Sequence, residues 1–322
     1  MDIYDQFLSI PCAMSDAIYA AVSLSTRRKD FLVKGVDGAP IFLLHDASEA
    51  KYSPGVQFRH LTAQFHSTCR VHTDDTDIQD QFALVACDGA KTDMHELFVR
   101  CFSAAIEELP VDSGTRELNA SIQKLLDLFR ALAQPSGREV SGLWAELYVI
   151  AKCGNVSAAL KAWHDDPFDR FDFSWGNGCL EVKSTIHAAR LHEFALEQLA
   201  QPTNGVGYVA SLLLQPLTGG LGVLDLAHSI EEAMQHSPAL REKLWNNIAR
   251  ALGSDFSEKL DKRFDVSYVE RRLLVYAMSD VPKPDQPVDK RVTSIWFSVD
   301  LTTVESTLKK SSFSALREIF PV

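Results

Sequence analysis

The chain has 322 residues and a formal net charge of -11, with 46% hydrophobic and 23% charged residues, an ordinary globular balance with ample apolar material for a core. The acidity argues against a free-standing, non-specific nucleic-acid binder, which needs Lys and Arg for phosphate contacts, but leaves room for an enzyme with a local basic groove. No run approaches the ~20 apolar residues of a membrane helix, the first residues lack a signal-peptide pattern, and the six cysteines include no Cys-x-x-Cys pair, so a reduced, cytoplasmic chain without a zinc site or disulfide framework is expected.

Residues 1–112 read as an α+β module. Ser15 to Ser25 reads as a short helix. Asp30 to Leu44 alternates as a hairpin turning at Asp37-Gly38. Strands follow near Gln64–Val71 and Gln81–Cys87, and then a helix over Met94–Leu109. Residues 113–225 read as the core. It opens with an amphipathic helix over Leu118–Leu132, broken at Pro135-Ser136-Gly137. Ser136 and Glu139 have capping-box spacing for the next helix, which runs through GLWAELYVIAK. A hairpin, FDFSWGNGCLEVKST, comes next, then a helix reaching Gln201 and an apolar strand, GVGYVASLLL. Residues 226–322 read as an extension: helices from about Ala227 and near Leu240–Leu252, strands near Val266–Met278 and Thr293–Val299, a loop punctuated by Pro282, Pro284 and Pro287, and a helix near Val304–Glu318.

The chemistry concentrates in Phe171 to Lys183. With Asn177-Gly178 as a two-residue turn, Asp172 pairs with Lys183, Ser174 with Glu181 and Trp175 with Leu180. Period-two alternation then collects Phe171, Phe173, Trp175, Leu180 and Val182 on one face, and Asp172, Ser174, Glu181 and Lys183 on the other. Two carboxylates at this reach can converge on a hard cation such as Mg2+, with the Val182 carbonyl as a third ligand, and a neighbouring ammonium suits metal-assisted hydrolysis. Taken alone, the same pattern describes a surface salt-bridge ladder, and Glu49-Ala50-Lys51 is a second Glu-x-Lys without a hairpin-paired Asp. The upstream helix separates the two readings. Glu146 falls on the apolar stripe of Leu143, Leu147, Ile150 and Ala151, where a carboxylate is costly unless paired or metal-bound.

The order helix with Glu146, strand with Asp172, strand with Glu181 and Lys183, helix, strand resembles the PD-(D/E)XK nuclease superfamily, and more narrowly a bacterial family of PD-(D/E)XK members found beside restriction-modification and phage-defence genes. GLWAELYVI, DRFDFSW, LEVKST and RLHEFALEQL carry the resemblance, over residues 142 to 200. Phe171 stands where the motif has Pro. The resemblance implies an α/β (α+β) fold with a restriction-endonuclease-like αβββαβ core. It implies Asp172, Glu181 and Lys183 as catalytic residues. Asp172, Glu181, Val182 and Glu146 become the metal set, and Arg190, His192 and Gln198 the substrate-binding residues. The cofactor would be Mg2+, with Mn2+ able to substitute. DNA is the implied partner, with other restriction or defence proteins, or a second copy in a homodimer, beside it.

Metal-dependent DNA hydrolysis in restriction or phage defence is therefore the expected activity. A catalytically silent subunit of the same fold, acting in assembly or nucleic-acid binding, is the alternative, and an RNA-directed nuclease is a third reading. No residue pattern separates a deoxyribose from a ribose backbone.

Overall fold

The computed structural model describes residues 2–49, 53–58, 60–73, 77–166, 169–234, 236–285, 291–308 and 312–321. It is a mixed α/β chain that divides into two compact units, Met1–Pro135 and Ser136–Val322. This division differs from the boundaries at 112/113 and 225/226 read from the sequence. The helix before Pro135 belongs to the first unit, and everything after Ser136 forms one unit.

The first unit contains helix α1 (Ile3–Ser9), strands β1 (Ile18–Ser23), β2 (Phe31–Lys34), β3 (Pro40–His45), β4 (Val56–Phe58), β5 (Leu61–His72) and β6 (Asp77–Cys87), and helices α2 (His95–Ile106) and α3 (Thr115–Leu132). The strand order β1-β2-β3-β6-β5 closes on itself, because β5 also pairs in parallel with β1, and β4 adds to the outer edge of β5. Tyr19, Phe31, Val33, Leu43, Val71 and Phe82, drawn from five strands, form one buried cluster. On β3, Phe42 meets Phe98 and Phe102 of α2 edge-on. Gly38 takes φ +85° in the β2–β3 turn, the left-handed conformation the Asp37-Gly38 signal called for. The helix expected over Ser15–Ser25 is instead β1, bonded by β2 on one side and β5 on the other. Those partners lie far along the chain, and tertiary pairing overrides the local pattern. At His66 (φ 57°) a bulge between Gln64 and Ser67 bends β5.

The second unit contains α4 (Val140–Lys152), α5 (Val156–Ala162), β7 (Phe173–Trp175), β8 (Gly178–Thr185), β9 (Leu191–Ala195), β10 (Val206–Leu213), β11 (Pro216–Leu221), α6 (Val223–Ala233), α7 (Pro238–Leu252), α8 (Phe256–Leu260), α9 (Val266–Arg272), β12 (Leu274–Ala277), β13 (Trp296–Asp300) and α10 (Ser312–Glu318). Its main sheet has the order β12-β10-β8-β7, with β8 and β10 parallel and both outer pairings antiparallel. α4 packs on β8, and α6 packs on α4. β9 pairs with β13 in a separate two-stranded sheet. Cys179, Phe194, Leu199, Val209, Tyr276 and Val299 join the two sheets in one buried cluster.

Several local expectations are corrected in this unit. The helix read over RLHEFALEQL is the strand β9 followed by one 3-10 turn, Leu196–Leu199. The alternating burial of Leu191 to Phe194 has the period of a strand, so the parallel step from β8 to β10 crosses through a strand rather than an α-helix. The strand read from Val266 begins as α9, and only Leu274–Ala277 is extended. The terminal helix is shorter than expected, and Pro287 lies outside the described residues. Ser136 does not cap α4. Its hydroxyl donates to the Ala251 carbonyl at 2.8 Å, and Glu139 takes the N-cap position. Among the described residues, no helix is long and apolar enough to cross a membrane.

Candidate metal centre

The hairpin forms, with its register displaced by two residues from the one expected. Trp175 pairs with Gly178 and Phe173 with Leu180, so the loop is Gly176-Asn177 rather than Asn177-Gly178. Gly176 supplies the positive φ, +38°. Gly178 lies under the Trp175 indole, where a Cβ would come within 2.3 Å of a ring atom. The glycine of Asn177-Gly178 is thus consumed by close packing and is not available to the turn. A displacement of two residues preserves face membership where a slip of one would invert it. Asp172 therefore lies across from Glu181 instead of Lys183.

Asp172 sits one residue before β7 begins, beyond the last residue of β8 that β7 pairs, Leu180. Its Oδ2 accepts the Val182 N–H at 2.7 Å. An extended residue turns its N–H and C=O to the same edge, so the Val182 carbonyl lies on the Asp172 side. Glu181, on β8, is 2% exposed. Its Oε1 accepts from Gln198 Nε2 at 2.7 Å and lies 2.8 Å from Lys183 Nζ. Its Oε2 is buried without a hydrogen-bond partner among the described residues. Glu146, on α4, is also 2% exposed. Trp163 Nε1 donates to its Oε2 at 2.8 Å, and Arg138 donates to its Oε1.

The three carboxylates titrate differently for stated reasons. Burial pushes Asp172 well above the usual Asp range, and the Glu181 and Glu146 charges push it further. Burial raises Glu181 as well, opposed by Lys183. Burial alone would also raise Glu146, but Arg138, His164 and Trp163 hold it below the usual Glu value. Three carboxylates thus crowd one small volume, two of them resisting ionisation. A divalent cation relieves that resistance. An orphaned buried Glu181 oxygen and an all-oxygen set of Asp172, Glu181 and the Val182 carbonyl fit a hard ion of the magnesium class.

The residues that follow the motif separate into two groups. Gln198 is at the centre: it bonds Glu181 with its amide N–H and accepts the Ala195 N–H at 3.0 Å. Arg190 and His192 are instead built into the interior. Arg190 is 5% exposed, donates to the Ser211 carbonyl and hydroxyl at 2.8 Å each, and also bonds the Arg272 carbonyl. His192 shares the Ser211 hydroxyl at 2.7 Å, and burial, with Lys183 and Arg190 nearby, pushes its pKa down to about 4. These bonds tie both residues into the interior.

Sequence reasoning passed over Arg138, Trp163 and His164. His164 Nε2 lies 3.4 Å from Glu146 Oε2, and Glu146, His164 and Asp172 offer ligand atoms all within 4.8 Å of one another. The end of α5 reaches the centre through backbone bonds: Trp163 bridges Phe173, and the His164 N–H donates to the Asp172 carbonyl at 2.9 Å. The signal for it was the short spacing between Trp163-His164 and the FDFSW strand, which allows an antiparallel bridge. Arg138 carried no local signal, because it lies in the link before α4. Beyond Lys183, Thr185 continues the same side of β8 into a cleft of about 940 Å³, whose lining includes Ser141, His187, Lys262 and Arg263.

Set beside known proteins, the chain matches over residues 13–302 a family described as "Putative PD-(D/E)XK family member, (DUF4420)". No curated protein and no solved structure matches it.

Proposed function

This chain belongs to that PD-(D/E)XK family, and we propose that it hydrolyses DNA phosphodiester bonds with a divalent cation held by Asp172, Glu181 and the Val182 carbonyl, with Glu146 on the helix side. The observation that carries the reading is the crowding of three carboxyl groups around an unsatisfied buried oxygen. Glu146, Asp172 and Glu181 are gathered around two cationic groups, Arg138 and Lys183, and Glu181 Oε2 has no partner among the described residues. Buried groups left unsatisfied in this way mark a site for a ligand.

Mg2+ or Mn2+ bound there would polarise a phosphoryl oxygen and acidify a water. The remaining work falls to the chain. Lys183 Nζ lies 2.8 Å from Glu181 Oε1 and over the Phe194 ring, 5.1 Å from its centroid, so its head is fixed. In this reading it orients the attacking water and stabilises charge developing on the phosphoryl oxygens. Gln198 holds Glu181 in its rotamer. The cleft beyond Thr185 has Lys262 and Arg263 in its lining beside Glu139 and Asp261, so it offers a polyanion individual cationic contacts and no net positive surface. The setting attached to this activity, bacterial restriction or phage defence with partner proteins or a second copy, rests on the resemblance alone. Among the described residues no disulfide joins the six cysteines, five of which are buried, and a reducing, cytoplasmic compartment is part of the proposal.

One observation favours a second reading. Arg138 already contacts Glu146 and lies 3.8 Å from Asp172, as a permanent counter-ion in a catalytically silent subunit would. Incubation with linear, circular, methylated and single-stranded DNA and with RNA, in Mg2+ or Mn2+, separates the readings. Cleavage of DNA by the wild type and none by Glu181→Ala supports the nuclease. Cleavage of RNA only redirects the substrate, and no cleavage, or equal cleavage by the mutant, sinks the assignment.

A further inference from the structure

Arg138 touches every member of one potential ligand set. Its guanidinium donates to Glu146 Oε1, lies 3.8 Å from Asp172 Oδ1, and places Nη1 3.2 Å from His164 Nε2. Those three residues are the ones whose ligand atoms fall within 4.8 Å of one another. A cation therefore sits among them already, tethered to the chain. Its carrier is unlike its partners in burial. The Arg138 side chain is 30% exposed, Glu146 2% and His164 10%. Arg138 also lies in the non-helical link before α4, whereas Glu146 is fixed on the helix. The Arg138 side chain is partly exposed, whereas Glu146 is enclosed.

Resting on the metal-centre reading above, we propose that Arg138 is a resident cation which occupies the Glu146–His164–Asp172 position in the metal-free protein and must swing out for a divalent ion to bind there. Two cations cannot share a position of this size. In the metal-free chain, Arg138 keeps Glu146 ionised and limits the repulsion between Glu146 and Asp172. When it leaves, two carboxylates and an imidazole remain. A nitrogen in the set favours a transition ion over Mg2+, which prefers oxygen alone. The arrangement makes ion entry a competition, and the apparent affinity of the centre is set partly by Arg138.

The test is calorimetric titration of the full chain with Mn2+, comparing wild type, Arg138→Gln and the double variant Arg138→Gln with His164→Ala, with melting recorded with and without Mn2+. Arg138→Gln is expected to bind Mn2+ about tenfold more tightly or better, the scale on which groups around a metal site tune affinity. Adding His164→Ala is expected to abolish that gain. Mn2+ is expected to raise the melting temperature of Arg138→Gln more than that of the wild type. Equal or weaker binding by a folded Arg138→Gln protein makes Arg138 a fixed structural partner and overturns the proposal, while leaving the metal centre standing. Should Arg138→Gln fold only with Mn2+, Arg138→Lys is titrated instead; its shorter ammonium, unable to span three ligands, is expected to give tighter binding than wild type, and wild-type affinity there overturns the proposal. Absence of Mn2+ binding in every protein sinks the metal centre and the proposal together.

Discussion

Each unit buries a cluster of opposite charges, and the two clusters are built on different terms. In the first unit, Arg28 and Asp30 are bidentate at 2.6 and 3.1 Å. The remaining Arg28 donors reach the Pro110, Val111 and His45 carbonyls, and Asp30 also accepts the His45 N–H. One positive charge meets one negative charge, and the hydrogen-bonding capacity of the guanidinium is used. In the second unit, Arg138 and Lys183 face Glu146, Asp172 and Glu181. Among the described residues Glu181 Oε2 and His164 Nδ1 are buried without hydrogen-bond partners. A closed ion pair holds a fold; a cluster with buried groups left unsatisfied is costly to the fold and is a candidate for binding a ligand.

The sharpest way to break this contrast is to remove one member of the closed pair. Arg28→Met strands a buried carboxylate and is expected to cost about 3–5 kcal/mol in urea unfolding, with Mn2+ affinity unchanged. A stability loss below ~1 kcal/mol would mean the pair is not the closed structural unit described. The matching change in the open cluster should act in the other direction on stability. The raised pKa of Asp172 means the folded state favours its neutral form. Its stabilising contribution is present below the unfolded value and lost as pH rises through the folded one. At neutral pH, metal-free Asp172→Asn is therefore expected to melt no lower than wild type. It should lose at least ~100-fold in Mn2+ affinity, the upper end of what outer partners alone contribute. A lower melting point with intact metal binding would make Asp172 structural.

Lys183→Met keeps the stem and removes the charge. Single-turnover cleavage at saturating Mg2+ should fall by ~100-fold, the usual scale for one transition-state-stabilising group, with unchanged metal binding. A surface ladder would instead lose ~0–1 kcal/mol of stability and no activity. The smallest effect belongs to His192. Its folded pKa is depressed to about 4 from 6.5, so its contribution is complete above the unfolded value and lost as pH falls. Between about pH 7 and pH 5.5 this amounts to roughly 1 kcal/mol. The difference in unfolding free energy between wild type and His192→Gln should shrink by that amount over the same interval. A difference that stays constant with pH would show that the imidazole titrates freely.

What the sequence made legible follows from how local each signal was. The β2–β3 hairpin depended on one dipeptide, Asp37-Gly38, and formed around it, though Lys34 pairs with Pro40 and the loop is wider than two residues. The β7–β8 hairpin was legible in its faces, because period two survives a displacement of two residues. Its register was not legible, because packing of Trp175 on Gly178 decided which glycine turned the chain. β1 looked helical because its strand character comes from β2 and β5. Glu146 stood out on an apolar stripe, and Glu181 and Lys183 shared one side of a strand. Arg138 stood out on nothing, and His164 only by its short spacing from the FDFSW strand: one lies in a link and the other past a helix end, and only the folded chain brings them to the same carboxylate.

The ring of strands in the first unit also dictates an order of events. The β2–β3 hairpin can form as soon as its turn exists, but Ile18 of β1 must wait for Arg70 of β5. Until then, one edge of β1 has no partner within the unit. Such long-range closure is slow relative to local pairing, and an unpaired edge invites the wrong neighbour. During synthesis the chain therefore passes through an interval, ending only when β5 has emerged, in which its earliest strand is exposed. The pace of the ribosome across that interval bears on yield as directly as the stability of the finished barrel.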